Sequence, residues 1–204
     1  MSVTTEIIAA AAGSPRHVVG ITGPPGAGKT TIAHRLVAEL AATLGDEAVG
    51  LLPMDGFHLA TPVLRRLGRA ARRGAPDTFD VDGFLSLLRR IRTPGHDVYA
   101  PDFDHTTAEP IAASLIIGGT ARVVVVEGNY LAADGEWSPV RTLLDRLWFV
   151  DAPDAVRHTR LLARHVAAGK TDSDARSWIA EVDDVNAALV RATRSRCDAE
   201  VTGE

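Results

Sequence analysis

The chain has 204 residues, of which 46% are hydrophobic and 24% charged, with a formal net charge of −4 and a single cysteine, Cys197. That composition suits a soluble α/β domain with a sizeable core, and the negative balance gives no electrostatic ground for nucleic-acid binding. One thiol excludes an internal disulfide, no apolar run approaches the ~20 residues of a membrane span, and the "IIAAAA" run after Glu6 has no basic region before it, so it does not read as a secretory signal. The expected location is the cytoplasm.

Residues 17–22, "HVVGIT", form a short apolar run suited to a buried parallel strand. "KTTIAHRLVAEL" then sets Ile32, Leu36 and Leu40 on one helix face, with Gly45 available beyond the end. "AVGLLPMD" reads as a second strand ending in Asp55, and residues 59–73 read as a very basic helix. Asp80 is placed to cap a helix through "FLSLLRRIR" that stops at Thr93-Pro94. "ARVVVVEGNY" is the clearest core strand and ends at Glu127 and Gly128. "RLWFVDAP" is another strand, and Pro153 opens a helix running to about Gly169. A further helix over roughly 172–190 precedes a short terminal strand.

Strands alternating with helices predict an α/β, three-layer fold over 1–204, a central parallel sheet with helices on both faces. Ligands of such sheets sit at the carboxyl ends of the strands. Asp55, Glu127 and the glycine-rich turn "GPPGAGKT" all fall at those ends.

That turn fits G-x-x-x-x-G-K-[ST] from Gly23 to Thr30, between a strand and a helix as a P-loop requires. Its glycines let backbone N–H groups wrap a phosphate, and the helix N-terminus adds a favourable dipole. Gly23, Gly26, Ala27, Gly28, Lys29, Thr30 and Thr31 form the expected cradle. Lys29 would reach the β- and γ-phosphates and Thr30 would bind Mg²⁺. Pro24 and Pro25 have no N–H to give, so the donors come mainly from residues 26 to 31.

Three fates of the phosphate compete. A GTPase needs a guanine-reading Asn-Lys-x-Asp, but the two asparagines, Asn129 and Asn186, precede Tyr-Leu and Ala-Ala. An ABC-type ATPase needs Ser-Gly-Gly-Gln, which is absent. A kinase needs a carboxylate to take the acceptor's proton, and "LLPMDGFHL" supplies Asp55, with Phe57 and His58 as pocket walls. The bland alternative for Asp55 is a helix cap. A nucleotide-binding regulatory or assembly module is the rival of another class and would need neither Asp55 nor a pocket.

Arg157, Arg160 and Arg164 lie along one side of a helix, followed by His165 and Lys170. By residue type alone they read as a solvated basic face. "RRLGRAARRGAP" carries five arginines, read as an exposed helix with Arg73 turned toward the acceptor. The histidines show no metal spacing.

"GPPGAGKT", "MDGFH", "RRGAPDTFD", "YAPDFDH", "VVVVEGNYL" and "TRSRCD" occur in an order that resembles the uridine kinase, phosphoribulokinase and bacterial pantothenate kinase superfamily. The likeness is greatest to its small bacterial nucleoside/nucleotide kinase-like or fructose transport system kinase branch, and it runs from about residue 17 to 202. The resemblance implies a P-loop NTPase fold, ATP and Mg²⁺, and a small-molecule hydroxyl acceptor. It implies that Asp55 is the catalytic base and that Glu127 sits near the metal. Phe79 and Asp80 would shape the acceptor side, and Tyr99 and His105 would touch the acceptor. Arg160 and Arg164 would belong to a small helical lid over 157–172. Asn186 resembles a pantothenate kinase position, or is simply part of the last helix. A nucleoside-like acceptor is favoured narrowly over pantothenate or a fructose-type sugar, ATP over GTP, and a homodimer is left open.

Overall fold

Four consecutive valines, Val123 to Val126, are fully buried at the centre of a computed structural model that describes residues 3–104 and 106–202. They lie in the strand Val123–Glu127, flanked by His17–Thr22 and Val49–Pro53. In chain order the elements are α1 (Val3–Ala11), β1 (His17–Thr22), α2 (Lys29–Leu44), β2 (Val49–Pro53), α3 (Thr61–Arg66) and α4 (Val81–Ile91). There follow β3 (Val98–Asp104), β4 (Glu109–Ile117), β5 (Val123–Glu127), β6 (Arg146–Asp151), α5 (Asp154–Ala167), α6 (Asp172–Trp178), α7 (Asp184–Arg191) and β7 (Ala199–Thr202).

The main sheet has the order β2-β5-β1-β6-β7, and all its pairings are parallel. Side chains alternate across it. Val123, Val125, Val19, Ile21 and Trp148 pack against α1 and α2, whereas Val124, Val126, Val18, Leu52 and Phe149 pack against α4, Trp137 and Val190. With both faces covered, the strands are apolar throughout, as the valine run predicts. The three-layer α/β expectation is met.

Several boundaries differ from the sequence reading. The basic segment 59–73 is not one helix: α3 ends at Arg66, Gly68 turns into the left-handed region with φ +67, and a separate turn covers Ala70–Arg72. β2 ends at Pro53, so Asp55 sits on the 3₁₀ turn Met54–Phe57 just past the strand. The predicted 172–190 helix runs from α6 to α7 through a π-helical turn, Ile179–Asp183. α1 and the antiparallel hairpin β3–β4, which lies outside the main sheet, have no counterpart in the sequence reading.

At the amino end of the sheet, Arg16 is 3% exposed and donates from Nε to Ala121 O at 2.7 Å, from Nη1 to Ile91 O at 2.8 Å, and from Nη2 to the carbonyls of Gly118 and Gly119. A buried guanidinium needs such acceptors. It closes this end, opposite the carboxyl edge where ligands of this fold class bind.

Candidate active site

Sheet order sets the layout of the carboxyl edge. β1 is central, so the loop that follows it, Gly23–Gly28, lies mid-edge, with Glu127 of β5 and Asp55 beyond β2 on one side and β6 and β7 on the other. The loop is fixed by close approach. A Cβ on Gly23 would come within 2.0 Å of the Val150 carbonyl oxygen, so only glycine fits there. Lys29 opens α2, is buried, and donates from Nζ to Pro24 O at 3.1 Å. Thr30 and Thr31 are exposed in the same first turn.

Glu127 and Lys29 face each other across 4.0 Å, both nearly buried, and Thr30 Oγ1 donates to Glu127 Oε2 at 3.3 Å. Burial is the main influence on both charges. It pushes the Glu127 carboxyl up to about 7 against the pull of Lys29, and it lowers the Lys29 ammonium against the pull of Glu127 and Asp55. The Asp55 charge acts on both groups from the carboxyl end of the neighbouring strand β2. Its own side chain is 38% exposed.

Next to Asp55 lies an aromatic wall. His58 Nδ1 is 2.9 Å from the Asp55 carbonyl oxygen, a contact it makes as an N–H donor. Its ring centroid lies 4.0 Å from that of Phe79 and 4.9 Å from that of Phe103. Phe57 is corrected: it is 7% exposed and meets Phe84 edge-on, inside the core. Phe79 is also buried, backing His58 instead of facing solvent. Asp80 caps α4 by accepting from Gly83 N at 2.9 Å, so its carboxylate is committed to the helix.

Arg73 ties the turn of the hairpin to α3, donating to Ala108 O at 2.6 Å and to Thr61 Oγ1, with Glu109 4.0 Å away. Asn186 is buried, with its amide nitrogen 3.8 Å from where a Cβ on Gly74 would lie. It thus borders the same loop as Arg73. Tyr99 is not brought to the site. It is 55% exposed on the hairpin's outer face, opposite the inward Val98 and Ala100, because side chains alternate along a strand. His105 lies outside the described residues.

The arginines of α5 do not form an unpaired row. Arg157 is 1% exposed and bonds Pro25 O, Asp154 and Asp184. His158 meets Asp184 at 3.0 Å and His165 meets Asp183 at 2.7 Å. A lid loosened by like-charge repulsion over 157–172 is therefore corrected: these carboxylates anchor the helix. Arg160 reaches the loop, with Nη1 3.3 Å from Gly26 O. Arg164 is exposed, and its charge acts on both Lys29 and Glu127.

On the far side of the loop, a cleft of about 450 Å³ is lined by Asp151, Pro153, Arg191, Arg194, Glu200 and Thr202, among others. It lies at the carboxyl ends of β6 and β7.

The family model described as "Phosphoribulokinase / Uridine kinase family" matches residues 18–202. The chain belongs to this family. As a member it is a small-molecule kinase, and the family implies ATP as the nucleotide. A candidate uridine kinase of Schizosaccharomyces pombe is 34% identical over 160 residues, covering 76% of this chain and 68% of its own length. A pantothenate kinase of Mesorhizobium japonicum is 30% identical over 161 residues, 76% of this chain but 50% of its own length. A candidate fructose transport system kinase from Silicibacter sp. TM1040 shares 31% identity with a TM-score of 0.87, covering 98% of this chain and 99% of its own.

Within this kinase, three features are absent from the sequence reading. Tyr130, 1% exposed, donates its hydroxyl to Gly74 O and sits edge-on to Phe79. Burial raises its phenol strongly, and the charges of Asp55, Asp183 and Asp77 add to the shift. The available signal was position: Tyr130 lies three residues past the strand-end acid Glu127. The Asp183 and Asp184 contacts with α5 and the grip of Arg157 on the loop had no local signal.

Proposed function

We infer that this kinase transfers the γ-phosphate of ATP to a hydroxyl of a small metabolite bearing a flat, nucleoside-like group, with Mg²⁺. The observation that carries the reading is the partly exposed Asp55 carboxylate at the sheet's carboxyl edge, 4.0 Å from His58 of the His58–Phe103 wall, with its charge acting on Lys29 and Glu127. A planar ring stacks on such a wall in the offset or tilted arrangements aromatic pairs prefer.

The roles follow from position. The loop N–H groups and Lys29 hold the β- and γ-phosphates. Asp55 takes the acceptor's proton as the hydroxyl attacks. Arg160 and Arg164 lie on the phosphate side and offset the charge that develops on the transferring group. His58, Arg73, Tyr130 and Asn186 shape the acceptor side, and the cleft beyond β6 and β7 takes the nucleobase. The lid is reduced to the later turns of α5 and the connection to α6, pivoting on the buried Arg157.

Thr30 Oγ1 and the Glu127 carboxylate are hard oxygen donors 3.3 Å apart. Mg²⁺ takes one or two protein carboxylates together with phosphate oxygens and waters, so this small donor set fits it. When bound, Mg²⁺ neutralises phosphate charge. No described helix is long and apolar enough to cross a membrane, and the proposed setting is the cytoplasm.

The test is a panel of nucleosides, pantothenate and hexoses, with ADP formation measured beside a Lys29→Ala blank. Nucleoside-dependent turnover supports the reading. Turnover only with pantothenate or a hexose replaces the acceptor, and ATP consumption indifferent to every acceptor favours a regulatory NTPase.

A further inference from the structure

The phosphate loop contains two prolines, so two of its peptides have no N–H to offer. The remaining donors depend on how each peptide plane is turned. One plane is held from outside the loop: Arg157 Nε donates to Pro25 O at 2.7 Å. A planar trans peptide points its N–H opposite to its C=O. Fixing the Pro25 carbonyl toward α5 therefore fixes the Gly26 N–H away from α5.

Contact around this bond is tight. Gly26 has φ +77, and a Cβ there would lie 2.9 Å from Arg157 O and 3.0 Å from Leu161 Cγ. Loop and helix thus meet backbone to backbone, and Arg160 Nη1 reaches the next carbonyl, Gly26 O. The guanidinium of Arg157 is 1% exposed. Its remaining N–H groups go to Asp154 and to Asp184 Oδ1, the latter at 3.3 Å from Nη2. Asp184 opens α7, the helix that carries Asn186 to the acceptor side.

We propose that Arg157 is a positioning residue of the phosphate cradle, aiming the Gly26 N–H at the nucleotide's phosphates, and that Asp184 holds it in that pose. This rests on the kinase reading of the loop. A residue that merely supports the fold would change the fraction of folded protein. A positioning residue changes the affinity of the folded protein, and only for ligands with phosphates.

Titrate ATP, ADP and adenosine by calorimetry against the wild type, Arg157→Met, Arg157→Lys and Asp184→Asn, with folding checked by circular dichroism. Arg157→Met should weaken ATP and ADP by about tenfold, the size of one lost good hydrogen bond, and leave adenosine unchanged. Arg157→Lys, which can still donate once to Pro25 O, should recover part of the loss. Asp184→Asn should weaken ATP by roughly threefold, and it carries the test if Arg157→Met does not fold. Unchanged ATP affinity in either folded variant overturns the proposal, as does an equal loss for adenosine. Failure of the wild type to bind ATP at all overturns the kinase reading itself, and this proposal with it.

Discussion

Thr30 Oγ1 donates to Glu127 Oε2 at 3.3 Å, so the first turn of α2 and the last residue of β5 share one bond where a phosphate and its metal would bind. Lys29 stands 4.0 Å from the other carboxylate oxygen. Three side chains from two elements therefore meet, with Lys29 and Glu127 buried and Thr30 at the surface, and burying a carboxylate has a consequence for stability.

Burial raises Glu127 to about 7, above the ~4.3 of an exposed glutamate. Between those values the folded protein keeps a proton that the unfolded chain has lost. This contribution is full at low pH and is lost as pH rises through the window. Thermal melts without nucleotide should show stability declining from about pH 5 to pH 7. Glu127→Gln should flatten that slope and be the more stable protein at pH 7. A wild-type slope that the variant reproduces would refute a buried, proton-holding Glu127.

Lys29→Ala should fold and lose phosphotransfer by at least ~10²-fold, since one preorganised charge at a transferring group is commonly worth a few kcal/mol. Turnover near the wild-type rate would remove the phosphate assignment.

Asp55→Asn isolates the proton acceptor. Asp55 is outside the loop and partly exposed, so ATP affinity should stay within about twofold while transfer falls at least ~10²-fold, the usual worth of a general base. A parallel loss of ATP binding in calorimetry would reassign Asp55 to the metal or to loop support.

Legibility in the sequence followed how local each cause is. β1, β5 and β6 were readable because strands buried on both faces must be apolar along their length. The loop was readable because close approach to Val150 O tolerates only glycine. The hairpin β3–β4 was not. Its register shifts between Ala100 and Asp102, and Ala113 takes φ +56, which breaks the two-residue alternation a strand reading relies on. Tyr99 was misplaced for that reason: its face depends on register within an unseen hairpin. Arg157 read as part of a charged stripe because its partners, Pro25 and Asp184, are 132 and 27 residues away.

The cleft beyond β6 and β7, proposed for the nucleobase, presents carboxylates and arginines that already pair with one another, Arg191 with Asp151 and Arg194 with Glu200. With no Asn-Lys-x-Asp to read guanine, ATP should bind more tightly than GTP, by a modest factor. Competing titrations decide it, and tighter GTP binding reverses the base assignment.

Hydrogen exchange should divide α5. Residues near Arg157 and the buried Leu161 should be protected without ligand, whereas the exposed stretch 166–169 should exchange quickly and slow when a non-hydrolysable ATP analogue binds. Uniform protection across 157–172, unchanged by the analogue, would make the whole helix rigid and leave no lid.

The hairpin β3–β4 contributes no strand to the five-stranded sheet. It touches the rest of the molecule beside β2, as where Gly50 meets Ile117 and Gly56 meets the Pro101 carbonyl. The strands that carry the phosphate loop, the strand-end acid and the cleft beyond β6 and β7 are all hydrogen-bonded without it. Residues 98–117 can therefore be exchanged for those of another family member without rewriting the strand registers. The Phe103 side of the proposed acceptor wall can thus vary while the strands that hold the phosphate loop keep their pairing.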